Sequence, residues 1–129
     1  MTLITRLMLV AIGGAIGSCL RDRIGVIGVI STKGLGVLLC NVIGCLIIGM
    51  LFEAFRFWNV GETWRLLLFT GLLGGFTTFS SYGLEAVVMC KNGEIIRGLT
   101  YILATNVGGL MSVALGVLVM RSILKCFLA

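Results

Sequence analysis

The sequence predicts an all-α integral membrane protein with four transmembrane helices per subunit. Hydrophobic residues make up 59% of the 129 residues and the mean hydropathy is +1.17, whereas soluble domains contain roughly 45–50% apolar residues. Charged residues divide the chain into uncharged stretches of 14, 19, 19 and 23 residues. Because a spanning helix needs about 18 or more such residues, each stretch is interpreted as one span.

The four spans are predicted at about residues 3–22, 34–55, 65–90 and 98–124. The first uncharged stretch is short, and it reaches spanning length if Arg6 extends to the membrane surface. A secretory signal ending at Cys19 is an alternative for this segment, but its paired glycines and the basic residues after it favour a retained helix. The loops near 23–33, 56–64 and 91–97 are too short to fold alone. Residues 1–129 are therefore predicted to form one transmembrane domain that is not an enzyme.

The basic residues are balanced between the two sides of the predicted helical bundle. With four spans, each side carries five Lys or Arg residues, so the positive-inside rule does not select an orientation. This balance predicts a dual-topology protein whose copies insert both ways up. So small a chain is also expected to need further copies to enclose a pathway, most simply in a dimer. A single dominant loop that fixes the orientation is the alternative. The two sets are Arg6, Arg56, Arg65, Arg121 and Lys125 against Arg21, Arg23, Lys33, Lys91 and Arg97.

Polar residues recur inside the predicted spans, where each of them needs a partner. They are Asn41, the hydroxyl cluster at 77–82, Thr105, Asn106 and Ser112. One buried asparagine often joins two helices, but several polar residues on separate helices favour a polar track. No basic residue lies within these uncharged stretches. Such a site of weak dipoles lets an anion enter and leave, as conduction requires.

The third span contains a candidate helix break in the stretch GLLGGFTTFSSYG. Gly74 and Gly75 precede Thr77 and Thr78, and a break here would free backbone carbonyls that can coordinate a cation. A straight helix whose glycines receive a neighbouring helix is the alternative. Phe76, Phe79 and Tyr82 recur every three residues, which predicts one drifting face of aromatic rings with positive edges among the hydroxyls.

These stretches resemble a known family. GGFTTFSSYG, together with GGAIGSCLR in the first span and LLCNVIGCLIIG in the second, is similar to the Fluc (CrcB-type) fluoride channels over the whole chain. The resemblance implies an antiparallel dimer with two fluoride pores and a structural sodium ion at its centre. It also implies passive export of toxic fluoride across the cytoplasmic (inner) membrane.

The resemblance also implies roles for particular residues. Phe79 and Tyr82 match the two phenylalanines whose ring edges face fluoride, and Asn41 matches a pore-lining asparagine. Gly74 and Thr77 match the residues whose main-chain carbonyls bind sodium. Further pore or vestibule positions implied by the resemblance are Ser80, Ser81, Thr105, Tyr101, Arg21 and Glu85. Tyr82 departs from the family's phenylalanine, and Ser81 departs from its threonine, which predicts a retained fold with an altered rate.

Two other functions compete with the channel. A small dual-topology, proton-coupled multidrug antiporter needs a membrane-embedded carboxylate, which such transporters carry in the first span. Residues 7–20 contain no acid here, and Glu85 towards the end of the third span is the intramembrane candidate. A non-transporting assembly factor would need only the glycine faces, and it would leave Asn41 and the hydroxyl cluster unexplained. The expected partners are fluoride, a second copy of the chain and membrane lipid, with no nucleic acid.

Overall fold

A computed structural model describes residues 1–26 and 34–128, and every regular element in these ranges is helical. The three long helices are α1 (Leu3–Val26), α2 (Leu35–Phe57) and α6 (Ile95–Leu128). The first and fourth predicted spans are therefore longer than expected, ending at Val26 and Leu128 instead of 22 and 124. Most of the predicted first loop, with Lys33, lies outside the described residues.

The composition of α1, α2 and α6 makes this a membrane protein. Each of these three helices is long and apolar enough to cross a membrane, and an 18-residue window within each has a mean hydropathy of 1.9, 2.5 and 2.0, respectively. Spanning helices must satisfy their backbone groups internally, and continuous helices of 24, 23 and 34 residues do so.

The third predicted span is divided into short pieces. It consists of α3 (Glu62–Arg65), a π-helical stretch π1 (Leu66–Leu73), α4 (Gly74–Phe76) and α5 (Phe79–Lys91). Thr77 and Thr78 between α4 and α5 are extended, with φ, ψ of −86°, 154° and −151°, 121°. The break thus follows the glycines, since Gly74 keeps helical angles of −63° and −36°.

Glycines allow the helices to pack with their backbones in contact. Helix α2 packs chiefly on α6, and α1 packs on π1 and α4. Gly49 of α2 lies against the backbone of Val113, and Gly75 of α4 lies so close to α1 that a Cβ there would be 3.0 Å from the Cα of Gly14. Small residues at such crossings are the usual packing device between spanning helices. Gly75 therefore acts in helix packing, and the helix is interrupted at Thr77 and Thr78.

Ion pairs connect the helix termini at one end of the bundle. Arg121 near the end of α6 donates from Nε to Glu53 Oε1 of α2 at 2.9 Å, and Arg6 of α1 pairs with Glu62 of α3. Glu53 is only 5% exposed, so its charge requires a partner. These contacts bring the start of α1, the turn between α2 and α3, and the end of α6 to the same end of the bundle.

The close packing of α1 gives a stability prediction. A Cβ at Gly13 would lie 2.8 Å from Leu72 N and 3.0 Å from Gly71 Cα, which are backbone atoms that cannot rotate away. We expect Gly13→Ala to destabilise the fold by about 1–3 kcal/mol through overpacking, measured as a lower midpoint of thermal unfolding in detergent. The adjacent Gly14→Ala is the control, since its Cβ would meet its nearest neighbour at 3.9 Å. Equal midpoints for the two variants would contradict this packing.

Candidate functional site

A cavity of about 380 Å³ lies beside the helix break, between α2, the break itself, the start of α5 and α6. Polar groups enter it from three segments of the chain, and the lining residues within 1–26 and 34–128 include no charged side chain. Its polar and aromatic lining consists of Asn41, Thr77, Thr78, Phe79, Tyr82, Thr105 and Asn106, and Gly74 also reaches it.

Asn41 holds the break in place through two hydrogen bonds. Its Nδ2 donates to the carbonyl of Thr78 at 3.1 Å, and its Oδ1 accepts from the amide of Thr78 at 2.8 Å. The side chain thus replaces the backbone partners that Thr78 lacks in its extended conformation. Asn41 also lines the cavity, so the same side chain supports the break and reaches the cavity wall.

At the break, two backbone amides that would donate to backbone carbonyls in a continuous helix donate to side chains instead. In a helix, Thr78 N–H would bond Gly74 C=O, and Ser81 N–H would bond Thr77 C=O. Here Thr78 N–H donates to Asn41, and Ser81 N–H donates to Thr78 Oγ1 at 3.3 Å. The carbonyls of Gly74 and Thr77 are the two that the family resemblance assigns to sodium. Both have lost their helical donors, and carbonyl oxygen is a ligand that hard cations accept.

The aromatic side chains do not share one face. Phe79 is 79% exposed and Tyr82 is 7% exposed, with ring centroids 5.3 Å apart. Phe76 is buried, and its ring faces α2 at Gly44. The predicted common face of the three rings is therefore wrong for Phe76, because the count of three residues assumed a helix that continues through Thr77 and Thr78.

The remaining predicted residues lie at different distances from the cavity. Thr105 is 8% exposed and lines it, and the hydroxyl oxygen of Thr105 is buried without a hydrogen-bond partner among the described residues. Ser80 and Ser81 do not line the cavity, but their hydroxyls bond Thr78 Oγ1 at 3.2 Å each.

Tyr101 and Arg21 also lie outside the cavity lining. Tyr101 packs its ring 5.6 Å from that of Tyr82 and donates its hydroxyl to Glu85 at 2.6 Å. Arg21 is half-buried near the end of α1. Of the predicted aromatic and hydroxyl positions, the cavity therefore gathers Phe79, Tyr82 and Thr105, and Tyr101 packs against Tyr82.

Two residues of the site were not among the predicted pore positions. Thr78 caps α5 and is the residue that Asn41 holds. Asn106 stood out only as a polar residue within a span, yet its Nδ2 donates to the hydroxyl of Tyr82 at 2.7 Å. The contacts of Thr78 with Asn41 and of Asn106 with Tyr82 join segments distant in sequence, so no local spacing signals them.

The arrangement places a few neutral polar groups in the wall of a mainly apolar cavity. Hydroxyl donors and ring edges attract an anion without a fixed positive charge, and carbonyls without helical donors attract a cation. The fold and the site thus define a small helical membrane protein whose described residues form a cavity without charged lining at a helix break.

The chain belongs to the CrcB-like family, whose sequence model, described as "CrcB-like protein, Camphor Resistance (CrcB)", matches residues 8–117. A protein of Parabacteroides distasonis named "Fluoride-specific ion channel FluC" is 38% identical over 122 residues, covering 92% of this chain and 95% of that protein. A Rhizobium johnstonii protein of the same name is 42% identical, covering 90% and 96%. One from Helicobacter pylori is 39% identical, covering 82% and 85%. The family consists of channels and not of enzymes.

Proposed function

We propose that the protein is a fluoride-selective channel that lets fluoride leave the cell passively across the cytoplasmic membrane. The observation that carries this proposal is the uncharged cavity at the break, with the unpartnered hydroxyl of Thr105 and the ring of Phe79 at its wall. The names of the relatives supply the identity of the ion, because the geometry by itself specifies only a small anion.

The chemistry of the lining suits fluoride in particular. Fluoride is the smallest halide and the strongest hydrogen-bond acceptor among them, so losing its water requires good donors. The hydroxyl of Thr105 and the positive ring edges of Phe79 and Tyr82 partly replace the lost hydration water, and they carry no fixed charge that would trap the ion. Ser80, Ser81, Tyr101 and Arg21 extend the pathway on either side of the cavity in this proposal.

The pathway is completed by a second copy of the chain in antiparallel orientation. In one subunit, Phe79 is 79% exposed, and Ser80 and Asn106 are exposed polar residues within the hydrocarbon region. Polar groups facing lipid are costly, so a covering subunit is favoured. The balance of five basic residues on each side allows copies to insert both ways. The twofold axis of such a dimer repeats the pathway of each subunit, which gives two pores per dimer.

A sodium ion fits the same arrangement. The carbonyls of Gly74 and Thr77 have lost their helical donors to Asn41 and Thr78, and neutral oxygens suit a monovalent hard cation. Two such carbonyls give only half of a four-oxygen site, and the second subunit would supply the rest. Sodium bound there would hold the two breaks together and would neutralise carbonyl dipoles that otherwise repel an approaching anion.

The proposed function is tested by growth in fluoride. We expect expression of the protein to restore growth of a bacterial host that lacks its own fluoride exporter, at fluoride concentrations that stop the host alone. Glu85→Gln should retain protection, since the amide oxygen of glutamine can still accept from Tyr101, whereas an antiporter would lose its proton-exchanging carboxylate. Absence of protection by a protein present in the membrane would contradict the proposal.

The proposed dual topology predicts a response to single charges. With reporter proteins fused to the carboxyl terminus, we expect activity both from a reporter that works in the cytoplasm and from one that works outside it. Asn92→Lys and Thr63→Lys each add a sixth basic residue, to opposite sides, and should shift the two activities in opposite directions. One active reporter that neither variant moves would show a fixed orientation.

A further inference from the structure

The hydroxyl of Tyr82 is held by a side chain on a different helix. Asn106 of α6 donates from Nδ2 to Tyr82 Oη at 2.7 Å and also to the carbonyl of Ile102 at 2.8 Å. Ile102 lies one turn before Asn106 on the same helix, so this second bond fixes the amide relative to the backbone.

These two bonds determine which way the proton of Tyr82 is directed. A backbone carbonyl only accepts, so the amide group that faces Ile102 must be the NH₂. The same NH₂ faces Tyr82, which means that the phenolic oxygen accepts and its own proton stays available. Tyr101 differs, because its proton is committed to Glu85 at 2.6 Å.

The surroundings of Tyr82 restrict where that proton can be donated. Its ring is 7% exposed and lies between the rings of Phe79 at 5.3 Å and Tyr101 at 5.6 Å. Tyr82 and Asn106 both line the cavity, as does Thr105 with its unpartnered hydroxyl. The available proton therefore belongs to a hydroxyl that is fixed at the wall of the proposed ion pathway.

We propose that the Tyr82 hydroxyl donates a hydrogen bond to fluoride in the cavity, and that Asn106 is the positioning residue that keeps this hydroxyl in the donor role. This inference rests on the proposed function. It gives Tyr82 an O–H donor in addition to its ring edge, and it assigns the hydroxyl's orientation to an amide that does not itself have to touch the ion. The O–H···F bond replaces one hydrogen bond of the lost hydration shell, and the proton stays on oxygen throughout.

A double-mutant cycle in liposomes tests the pair. Fluoride efflux and its dependence on fluoride concentration are measured for the parent, Tyr82→Phe, Asn106→Leu and the double variant. Ser122→Ala, at an exposed position of the same helix outside the cavity lining, is the control. We expect Tyr82→Phe and Asn106→Leu each to slow efflux about tenfold and to raise the half-saturating fluoride concentration, since a hydrogen bond to a charged group is lost or misdirected. The double variant should match Tyr82→Phe alone.

The outcomes separate this inference from the proposed function. If Asn106→Leu slows efflux by the same factor with and without the Tyr82 hydroxyl, Asn106 acts independently and the pairing is overturned. If Tyr82→Phe leaves both the rate and the half-saturating concentration unchanged, the hydroxyl is not a donor to fluoride. If the parent itself conducts no fluoride, the proposed function fails before the pair is tested.

A second measurement on the unmutated protein covers the case in which Asn106→Leu does not fold. Ultraviolet Raman bands of tyrosine respond to whether the hydroxyl donates or accepts, and the chain has two tyrosines. We expect the bands to change when fluoride replaces chloride, and the change to be absent in Tyr82→Phe. Identical bands in fluoride and chloride, at fluoride concentrations that saturate efflux, would overturn the proposal.

Discussion

Replacing Phe79 with isoleucine is expected to abolish fluoride efflux while leaving the fold intact. The ring is 79% exposed at the cavity wall, so its removal disturbs little packing within the subunit. Isoleucine is similarly apolar but has no ring and therefore no positive edge to face an anion. Dehydrated fluoride would lose the ring edge as a partner, and no charged side chain among the described lining residues would compensate for that loss. Efflux from reconstituted vesicles, followed with a fluoride electrode, measures the loss.

Phe127→Ile is the matched control for the ring. Phe127 is 87% exposed near the end of α6 and lies outside the cavity lining, so the same substitution there should leave efflux unchanged. Both variants should elute like the parent in size-exclusion chromatography. Parental efflux from Phe79→Ile would remove the ring edge from the mechanism, and equal losses in both variants would indicate a general effect on the fold.

Asn41→Ala is expected to impair both stability and flux. The alanine would leave the amide and the carbonyl of Thr78 without their side-chain partners at 2.8 and 3.1 Å. Each buried backbone group left unsatisfied costs about 1–3 kcal/mol. The break would rearrange, and with it the position of Phe79, the next residue. We expect a lower thermal midpoint together with efflux reduced by roughly tenfold or more.

Ile43→Ala is the control for Asn41→Ala, because it shortens a side chain of the same helix that is 39% exposed. Unfolding midpoints and efflux are compared for the two variants and the parent. A normal midpoint with normal efflux in Asn41→Ala would contradict the supporting role of the amide. A normal midpoint with lost efflux would place Asn41 in the pathway alone, as a pore-lining side chain that the break does not need.

The sequence was sufficient to predict the helical membrane class and the approximate position of the interrupted helix. Hydrophobic stretches between charges locate helices because the lipid imposes their length. Gly74, Gly75, Thr77 and Thr78 indicated a break without proline, but not which of them leaves the helix. The threonines leave it because Asn41 and the hydroxyl of Thr78 satisfy the freed backbone. That choice depends on α2, 37 residues earlier in the chain.

The sequence indicated several residues of the candidate site, but it did not indicate how they are arranged. Asn41, Phe79, Tyr82 and Thr105 meet at one cavity, whereas Phe76 turns toward Gly44 because the backbone changes direction after it. The pairing of Tyr82 with Asn106 joins residues on α5 and α6, and it depends on the relative axial position of these two helices. Residue spacing along one helix carries no information about that register.

The account rests on fluoride passing through this cavity, and flux through the purified protein tests that most directly. Liposomes containing the protein would be loaded with fluoride. An ionophore would then be added to dissipate the membrane potential that opposes fluoride efflux, and efflux would be followed with a fluoride electrode. Identical vesicles loaded with chloride serve as the control. The account predicts rapid release of fluoride, little release of chloride, and loss of fluoride release in Phe79→Ile. Retention of fluoride by vesicles that contain folded protein, or equal release of both ions, would contradict it.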